Sequence, residues 1–303
     1  MPENKPPERF VSGFVSILGR PNVGKSTLLN SLLGEKVAIV SDKPQTTRTN
    51  IQGVLNLEKA QIVFLDTPGI HKPSTVVNKR MMHSVEAALD ARDLLLLLAD
   101  CTRQTGPEDE TAVRMVTRAR TPAFLLLNKI DRLKDKGRLL PLIDRYREMA
   151  DFEQFFPVSA LTGEGLDQLK DAIVKRLPEG PQYFPEDEIT DQPLRFLAAE
   201  LIREKVLEQT RQEVPHAVMV LIDVWEEKPN VIHIMASIAV ERDGQKAILI
   251  GSKGATLKQI GTLARGELEQ ILGRKVYLEL FVKVRPKWRQ DPAFVNAIDW
   301  RTS

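Results

Sequence analysis

The chain has 303 residues, 42% hydrophobic and 28% charged, with a formal net charge of +2. That make-up fits an ordinary soluble globular protein long enough for two domains, and it excludes a chain that is mostly disordered. One cysteine, Cys101, excludes an internal disulfide, four scattered histidines lack zinc spacing, the first seven residues have no apolar core for a signal peptide, and the leucine run 94–98 is too short for a membrane span. A cytoplasmic location with no transmembrane segment is therefore expected.

An apolar run at 14–18 leads into Gly19-Arg20-Pro21-Asn22-Val23-Gly24-Lys25-Ser26, and a helical pattern opens at Thr27. In a strand, glycine loop and helix in this order, backbone N–H groups wrap an anion, Lys25 reaches the outer phosphates, and the Ser26 hydroxyl can hold magnesium. A nucleoside triphosphate site is predicted over Gly19 to Thr27. Residues 41–49 are polar and aperiodic, which predicts a loop. Thr46 and Thr47 within it are both candidates to give magnesium a second hydroxyl when a γ-phosphate is present. The residues alone do not separate the two.

Strands are predicted at 51–57 and 60–65, the second ending in Asp66-Thr67-Pro68-Gly69. An aspartate at the C-terminal end of a buried strand faces the ligand edge of an open α/β sheet. There Asp66 can hold magnesium through water, and Gly69 can offer its N–H to a γ-phosphate. A helix at 78–89, a strand at 94–99, a helix at 107–118 and a strand at 123–127 continue the alternation of a mostly parallel sheet.

The strand at 123–127 runs into Asn128-Lys129-Ile130-Asp131, which selects the base. Asp131 can accept from the ring N–H and the exocyclic amine of guanine, whereas adenine offers neither donor there. Asn128 can bond N7 and orient the loop, and the Lys129 stem can lie over the ring. A short strand at 155–158 ends at Val158-Ser159-Ala160, whose turn can meet the guanine carbonyl, before a helix at 166–176.

These motifs resemble the translation-factor-like class of GTPases over residues 10–177. The resemblance implies a Ras-like P-loop domain using GTP/GDP and Mg2+, with Lys25, Thr46, Thr47, Asp66 and Gly69 as the catalytic set. It further implies metal ligands among Ser26, Thr46, Thr47 and Asp66, and switches at 45–49 and 66–69. Two points qualify it. Ile70 stands where Ras-type proteins carry the glutamine that orients water. Asn22 matches the asparagine that holds a monovalent cation in some related GTPases, so K+ is a further candidate.

Three prolines and a glycine within 177–186 end the alternation, predicting a GTPase domain at 1–180, a linker at 181–193 and a second domain at 194–303. Residues 181–241 carry 5 Lys+Arg against 12 Asp+Glu, whereas 242–289 carry 11 against 4, so the later segment presents a basic face. Its pattern reads as a helix at 194–211, strands at 217–225 and 231–240, a short apolar segment at 245–250, Gly251-Ser252-Lys253-Gly254, a helix at 255–272 and an alternating strand at 276–284.

That order is the order of a type II KH domain, whose GXXG loop clamps single-stranded nucleic acid. Ile250, Thr256, Leu257 and Ile260 are expected as an apolar floor, and Lys253 and Lys258 as phosphate contacts. Together with Gln45-Thr46-Thr47-Arg48, Asp66 to His71 and Glu241 to Lys246, the two domains resemble the Era family of bacterial GTPases. The resemblance implies binding to the single-stranded 3′ region of small-subunit ribosomal RNA, a role in 30S subunit assembly and maturation, and peripheral contact with the inner membrane. Two alternatives stand beside it. One is a nucleotide-stabilised RNA scaffold or chaperone with incidental hydrolysis; the other is a KH-like unit that binds protein through Phe281, Trp288 and its apolar strand faces.

Overall fold

The computed structural model describes residues 9–43, 45–70, 75–90, 92–210 and 214–297. Two positions singled out from the sequence, His71 and Arg211, lie outside them. By contact the chain divides into a first unit of residues 1–38, 47–72 and 81–191 and a second of 39–46, 73–80 and 192–303.

The first unit alternates strands and helices: β1 (Val11–Gly19), α1 (Lys25–Leu33), β2 (Ile51–Leu57), β3 (Ala60–Asp66), α2 (Val76–Ala87), β4 (Leu94–Asp100), α3 (Pro107–Ala119), β5 (Ala123–Asn128), α4 (Leu139–Met149), β6 (Gln154–Val158) and α5 (Leu166–Arg176). By contact, the start of α2 is grouped with the second unit. The sheet order is β2-β3-β1-β4-β5-β6, with only β2 antiparallel to its neighbour. All seven residues of β4 are buried, as a continuous apolar run in a central parallel strand should be. Order reverses around β1, so the loops after β1, β3 and β5 gather at one sheet edge, where α/β sheets bind ligands.

Helix α4 has no counterpart in the sequence reading. Pro141 obscures its pattern, yet at the third helical position its missing N–H costs nothing, because first-turn N–H groups have no intrahelical acceptor. Residues 181–191 pack on the first unit: the Val54 N–H donates to the Ile189 carbonyl at 2.8 Å, and Thr190 Oγ1 donates to the Gln52 carbonyl at 2.7 Å. The open edge of β2 is thereby covered, which blocks edge-to-edge pairing.

The second unit contains α6 (Leu194–Gln209), α7 (Val214–Ala217), β7 (Met219–Glu227), β8 (Val231–Val240), α8 (Asp243–Ile250), α9 (Ala255–Leu272), β9 (Lys275–Val284) and α10 (Pro292–Ala297). Its sheet runs β7-β8-β9, with β8 and β9 parallel. Alternate residues of β9, from Val276 to Val284, pack on a core shared with α6 and α9, as the alternation in the sequence predicts. Ile260, Ala264 and Leu268 are the buried stripe of α9, at the i, i+4, i+8 spacing of one helix face. Trp288 is wholly buried, and its Nε1 donates to the Ala217 carbonyl at 2.8 Å. It is structural, which corrects its reading as a protein-binding residue; Phe281 is 42% exposed.

Candidate functional site

The loop between β1 and α1 is shaped by backbone that side chains rarely tolerate. Gly24 has φ +105°, and a Cβ there would sit 2.4 Å from Asn128 Nδ2, so the residue must be glycine. Asn22 is left-handed at φ 60°. Left-handed non-glycine residues are uncommon, and of the six among the described residues four, Asn22, Gln45, Lys129 and Lys253, fall in loops singled out from the sequence, Arg120 and Lys287 being the others.

Lys25 is buried, with Nζ donating to the Gly19 and Arg20 carbonyls at 3.2 and 3.1 Å. Burial pushes its ammonium down to about 8, against the opposing pull of Asp66. Asp66 is pushed up to about 6 by burial, opposed by Lys25 and by hydrogen bonds from Ser26 and Thr47. Each group is thus poorly solvated: an incoming phosphate would stabilise the ammonium, and a metal cation the carboxylate.

Three oxygen donors converge beside Lys25. Ser26 Oγ donates to Asp66 Oδ2 at 2.6 Å, Thr47 Oγ1 lies 2.9 Å from Ser26 Oγ, and Thr47 Oγ1 donates to Asp66 Oδ2 at 3.3 Å. The other carboxylate oxygen, Asp66 Oδ1, is buried without a partner. Hard oxygen ligands with one buried acceptor to spare fit magnesium. Thr46 does not join them: its hydroxyl donates to the Lys43 carbonyl at 2.7 Å. Of the two threonines, the loop turns Thr47 toward these oxygens and Thr46 away from them.

The segment after β3 folds back against the first loop. Thr67 Oγ1 donates to the Ile17 carbonyl at 2.8 Å, the Ile70 N–H donates to the Gly19 carbonyl at 3.2 Å, and a Cβ on Gly69 would lie 2.8 Å from Pro21 Cα. The segment from Asp66 through Pro68 to Gly69 therefore runs beside the phosphate loop. Ile70 is buried and has no polar group to offer a water.

At the base end, Asn128 Nδ2 donates to the Val23 carbonyl at 2.8 Å while its Oδ1 accepts from the Ala160 N–H at 2.9 Å. One side chain thus joins the first loop to the Val158-Ser159-Ala160 turn. Asp131 is exposed, and its Oδ1 accepts from Ser159 Oγ at 2.6 Å, which orients the carboxylate. Lys129 Nζ donates to the Asn22 carbonyl at 2.7 Å and to Asp100 Oδ2 at 2.8 Å. Asp100 and Asp109, which hold the phosphate-loop Arg20 at 3.8 and 3.2 Å, are a supporting layer that sequence reasoning missed. The acid at the C-terminal end of β4 was the available signal.

In the second unit, Gly254, Leu257, Lys258, Gly261, Thr262, Arg265, Leu278 and Leu280 line a groove of about 460 Å³. Ser252, Lys253 and Lys258 are exposed at or beside it. Ile260 does not contribute to its floor: it heads the Ile260, Ala264 and Leu268 stripe that faces the core and is fully buried, with Leu257 at the edge of that stripe. Ile250 and Thr256 are half-buried and do not line the groove; Thr256 instead packs under Gly251, where a Cβ would come 2.2 Å from its Oγ1. The floor is Leu257 with Leu278 and Leu280. Lys258, Thr262 and Arg265 share one helix face by their spacing, a signal present in the sequence.

A phosphate-loop site with a guanine-selective edge, on a six-stranded sheet followed by a GXXG unit, defines a P-loop GTPase with a KH domain. The chain matches the family described as 50S ribosome-binding GTPase over residues 14–129 and the KH domain family over residues 213–289. It is 50% identical to GTPase Era of Syntrophus aciditrophicus over 95% of this chain and 94% of that protein, and 49% identical to GTPase Era of Geobacter metallireducens over 96% and 98%. A crystal structure of Era with MgGDPNP and nucleotides 1506–1542 of 16S ribosomal RNA has a TM-score of 0.92 at 46% identity, covering 94% of this chain and 97% of that one. A variant of Aquifex aeolicus Era bound to GDP.AlF4− gives the same TM-score and identity over 94% and 98%. The chain belongs to the Era family, and it is a GTPase.

Proposed function

We propose that this GTPase binds the single-stranded 3′ region of small-subunit ribosomal RNA and acts in assembly and maturation of the 30S subunit, with the nucleotide setting how firmly the RNA is held. The observation that carries this is the groove on the second unit, where bare backbone at Gly254, the leucines 257, 278 and 280, and the cations Lys258 and Arg265 lie together. Single-stranded RNA needs that combination: room for phosphate, a flat apolar floor for bases, and positive charge.

The residues take the following roles in this reading. Backbone N–H groups between Gly19 and Thr27, other than at Pro21, which has none, and the Lys25 ammonium cradle the phosphates. Ser26, Thr47 and Asp66 hold magnesium, which when bound would neutralise charge developing on the β- and γ-phosphate oxygens. The Gly69 N–H meets the γ-phosphate; Asn128, Lys129, Asp131 and the Ser159-Ala160 turn hold guanine. The KH domain occupies 194–303 behind a linker at 181–193, and the GTPase domain occupies 1–180. The location is cytoplasmic, with any contact to the inner membrane peripheral; no helix among the described residues is long and apolar enough to cross a bilayer.

Ile70 favours a second reading, the nucleotide-stabilised scaffold, because its buried alkyl side chain cannot place a water. One measurement separates the two: affinity for a 3′-terminal 16S RNA oligonucleotide in the presence of a GTP analogue, GDP and no nucleotide, with turnover followed in parallel. Affinity that differs between GTP analogue and GDP, and falls as GTP is consumed, supports the timed reading. Equal affinity in both states leaves the scaffold.

A further inference from the structure

A buried arginine on α6 holds the first switch. Arg203 is fully buried; its Nε donates to Glu200 Oε1 at 2.7 Å, and its Nη2 donates to Glu200 Oε2 at 2.5 Å and to the backbone carbonyl of Thr46. Nη1 is buried without a partner. The next residue, Glu204, is also buried, and its Oε1 accepts from the Val40 N–H at 2.7 Å. Ile39 packs into the second unit's hydrophobic core, and residues 39–46 belong to that unit by contact. The segment is thus held at both ends by adjacent residues of one helix.

Burying a guanidinium is costly unless its donors are used, and a short carboxylate pair alone would satisfy it at the surface for less. Here one donor is spent on a loop carbonyl and another is left over, which marks a position kept for what it holds. The carbonyl belongs to Thr46, and the next residue is Thr47, whose hydroxyl meets Ser26 and Asp66. The peptide group between residues 46 and 47 is rigid, so its placement at one end limits where Thr47 can go at the other.

We propose that Arg203, with Glu204, is a positioning pair through which the KH unit reads the nucleotide state. When Thr47 is drawn to magnesium and the γ-phosphate, the Thr46 carbonyl is placed for Arg203; when Thr47 lets go, that bond is lost and α6 is freed from the switch. Coupling is reciprocal, so RNA bound to the KH unit biases the same peptide. This deepens the nucleotide-dependent RNA binding proposed above and rests on it.

The test uses the full chain and a single-stranded oligonucleotide of the 16S 3′ end, with dissociation constants measured in GTP analogue and in GDP. In Arg203→Met combined with Glu200→Gln, which removes the guanidinium without leaving a carboxylate unpaired, the ratio of the two constants should fall about tenfold toward one. GDP affinity and nucleotide-free RNA affinity should stay within about twofold of wild type, a separation that a merely structural arginine would not give. Glu204→Gln, which keeps an oxygen for the Val40 N–H but weakens the bond, is the gentler second variant and should lower the ratio by about threefold. A folded variant of either kind that keeps the wild-type ratio overturns the proposal. A wild-type ratio of one overturns instead the nucleotide-timed reading beneath it.

Discussion

Lys129 Nζ sits 2.8 Å from Asp100 Oδ2, so the lysine expected to lie over the guanine ring is anchored by an acid at the end of the neighbouring strand. Burial works against ionisation of Asp100, but hydrogen bonds from Lys129 and Thr102 and the lysine's charge outweigh it and hold the carboxyl below its usual range. Arg20 Nη2 lies 3.8 Å from the same oxygen, so one carboxylate faces both the phosphate loop and the base loop. Asp100→Asn should therefore weaken GTP and GDP equally, by about tenfold, the worth of a charge-assisted hydrogen bond. Titration with both nucleotides checks this; loss confined to GTP would assign Asp100 to the γ-phosphate end.

Asp131→Asn should lower GTP affinity by at least about a hundredfold, because a carboxylate that accepts two donors is replaced by a group that cannot accept both. The same variant should favour xanthine nucleotides, whose carbonyl at the amine position accepts from an amide N–H. Ser159 Oγ, 2.6 Å from Asp131 Oδ1, keeps the group oriented in either case. Equal binding of ATP and GTP by the wild type would remove the base-site assignment.

With Ile70 buried where a polar residue would orient water, hydrolysis must draw its transition-state stabilisation from other groups, and a cation at the phosphates is one that supplies charge there. Asn22, held left-handed in the phosphate loop, is the group offered for a potassium ion. Turnover should be several-fold faster in potassium than in sodium salts, and Asn22→Ala should abolish the difference. Identical rates for both proteins in both salts would exclude the ion.

Cys101 is buried, and burial, reinforced by the neighbouring Asp100 charge, pushes its thiol up to about 11 from 9.0. Iodoacetamide should leave it unmodified at pH 8 in the native protein and alkylate it after unfolding. A folded pKa above the unfolded value stabilises the protein below pH 9, and that contribution is lost as pH rises through 11. Native alkylation at the rate of an unfolded control would contradict the placement.

The nucleotide site was legible because phosphate, magnesium and guanine each demand residue types at fixed places on a strand, loop and helix. Gly24, Lys25, Ser26 and Asp66 carry that demand in the chain itself. What was not legible depends on rotation or on distant partners. Ile260 is apolar and next to the groove residues in sequence, yet it lies on the centre of the buried stripe with Ala264 and Leu268, while Leu257 sits at that stripe's edge and reaches the groove. Thr46 and Thr47 are the same residue type side by side, and what distinguishes them is their partners in the fold, the Lys43 carbonyl for Thr46 and Ser26 with Asp66 for Thr47. Arg203 reads as a charged residue of an ordinary helix, because its partner Thr46 is 157 positions away.

The two glycines of the GXXG loop should behave differently on substitution, and the contrast tests the RNA groove. At Gly251 a Cβ would come 2.2 Å from Thr256 Oγ1, so Gly251→Ala must displace the start of α9 and should destabilise the domain. At Gly254 a Cβ meets nothing within 4 Å, although φ is +81°, so Gly254→Asp costs only the left-handed conformation, about 1 kcal/mol. The Gly254→Asp protein should therefore fold, as circular dichroism would report, and hydrolyse GTP at the wild-type rate without RNA. Its carboxylate would lie where an RNA phosphate passes beside Lys258 and Arg265, and RNA affinity should fall at least about tenfold through collision and repulsion. Wild-type binding should also weaken with salt, with a log–log slope of about −2 if Lys253, Lys258 and Arg265 each neutralise one single-strand phosphate. A folded Gly254→Asp protein with undiminished affinity and the same salt slope would place the RNA on another surface of the domain.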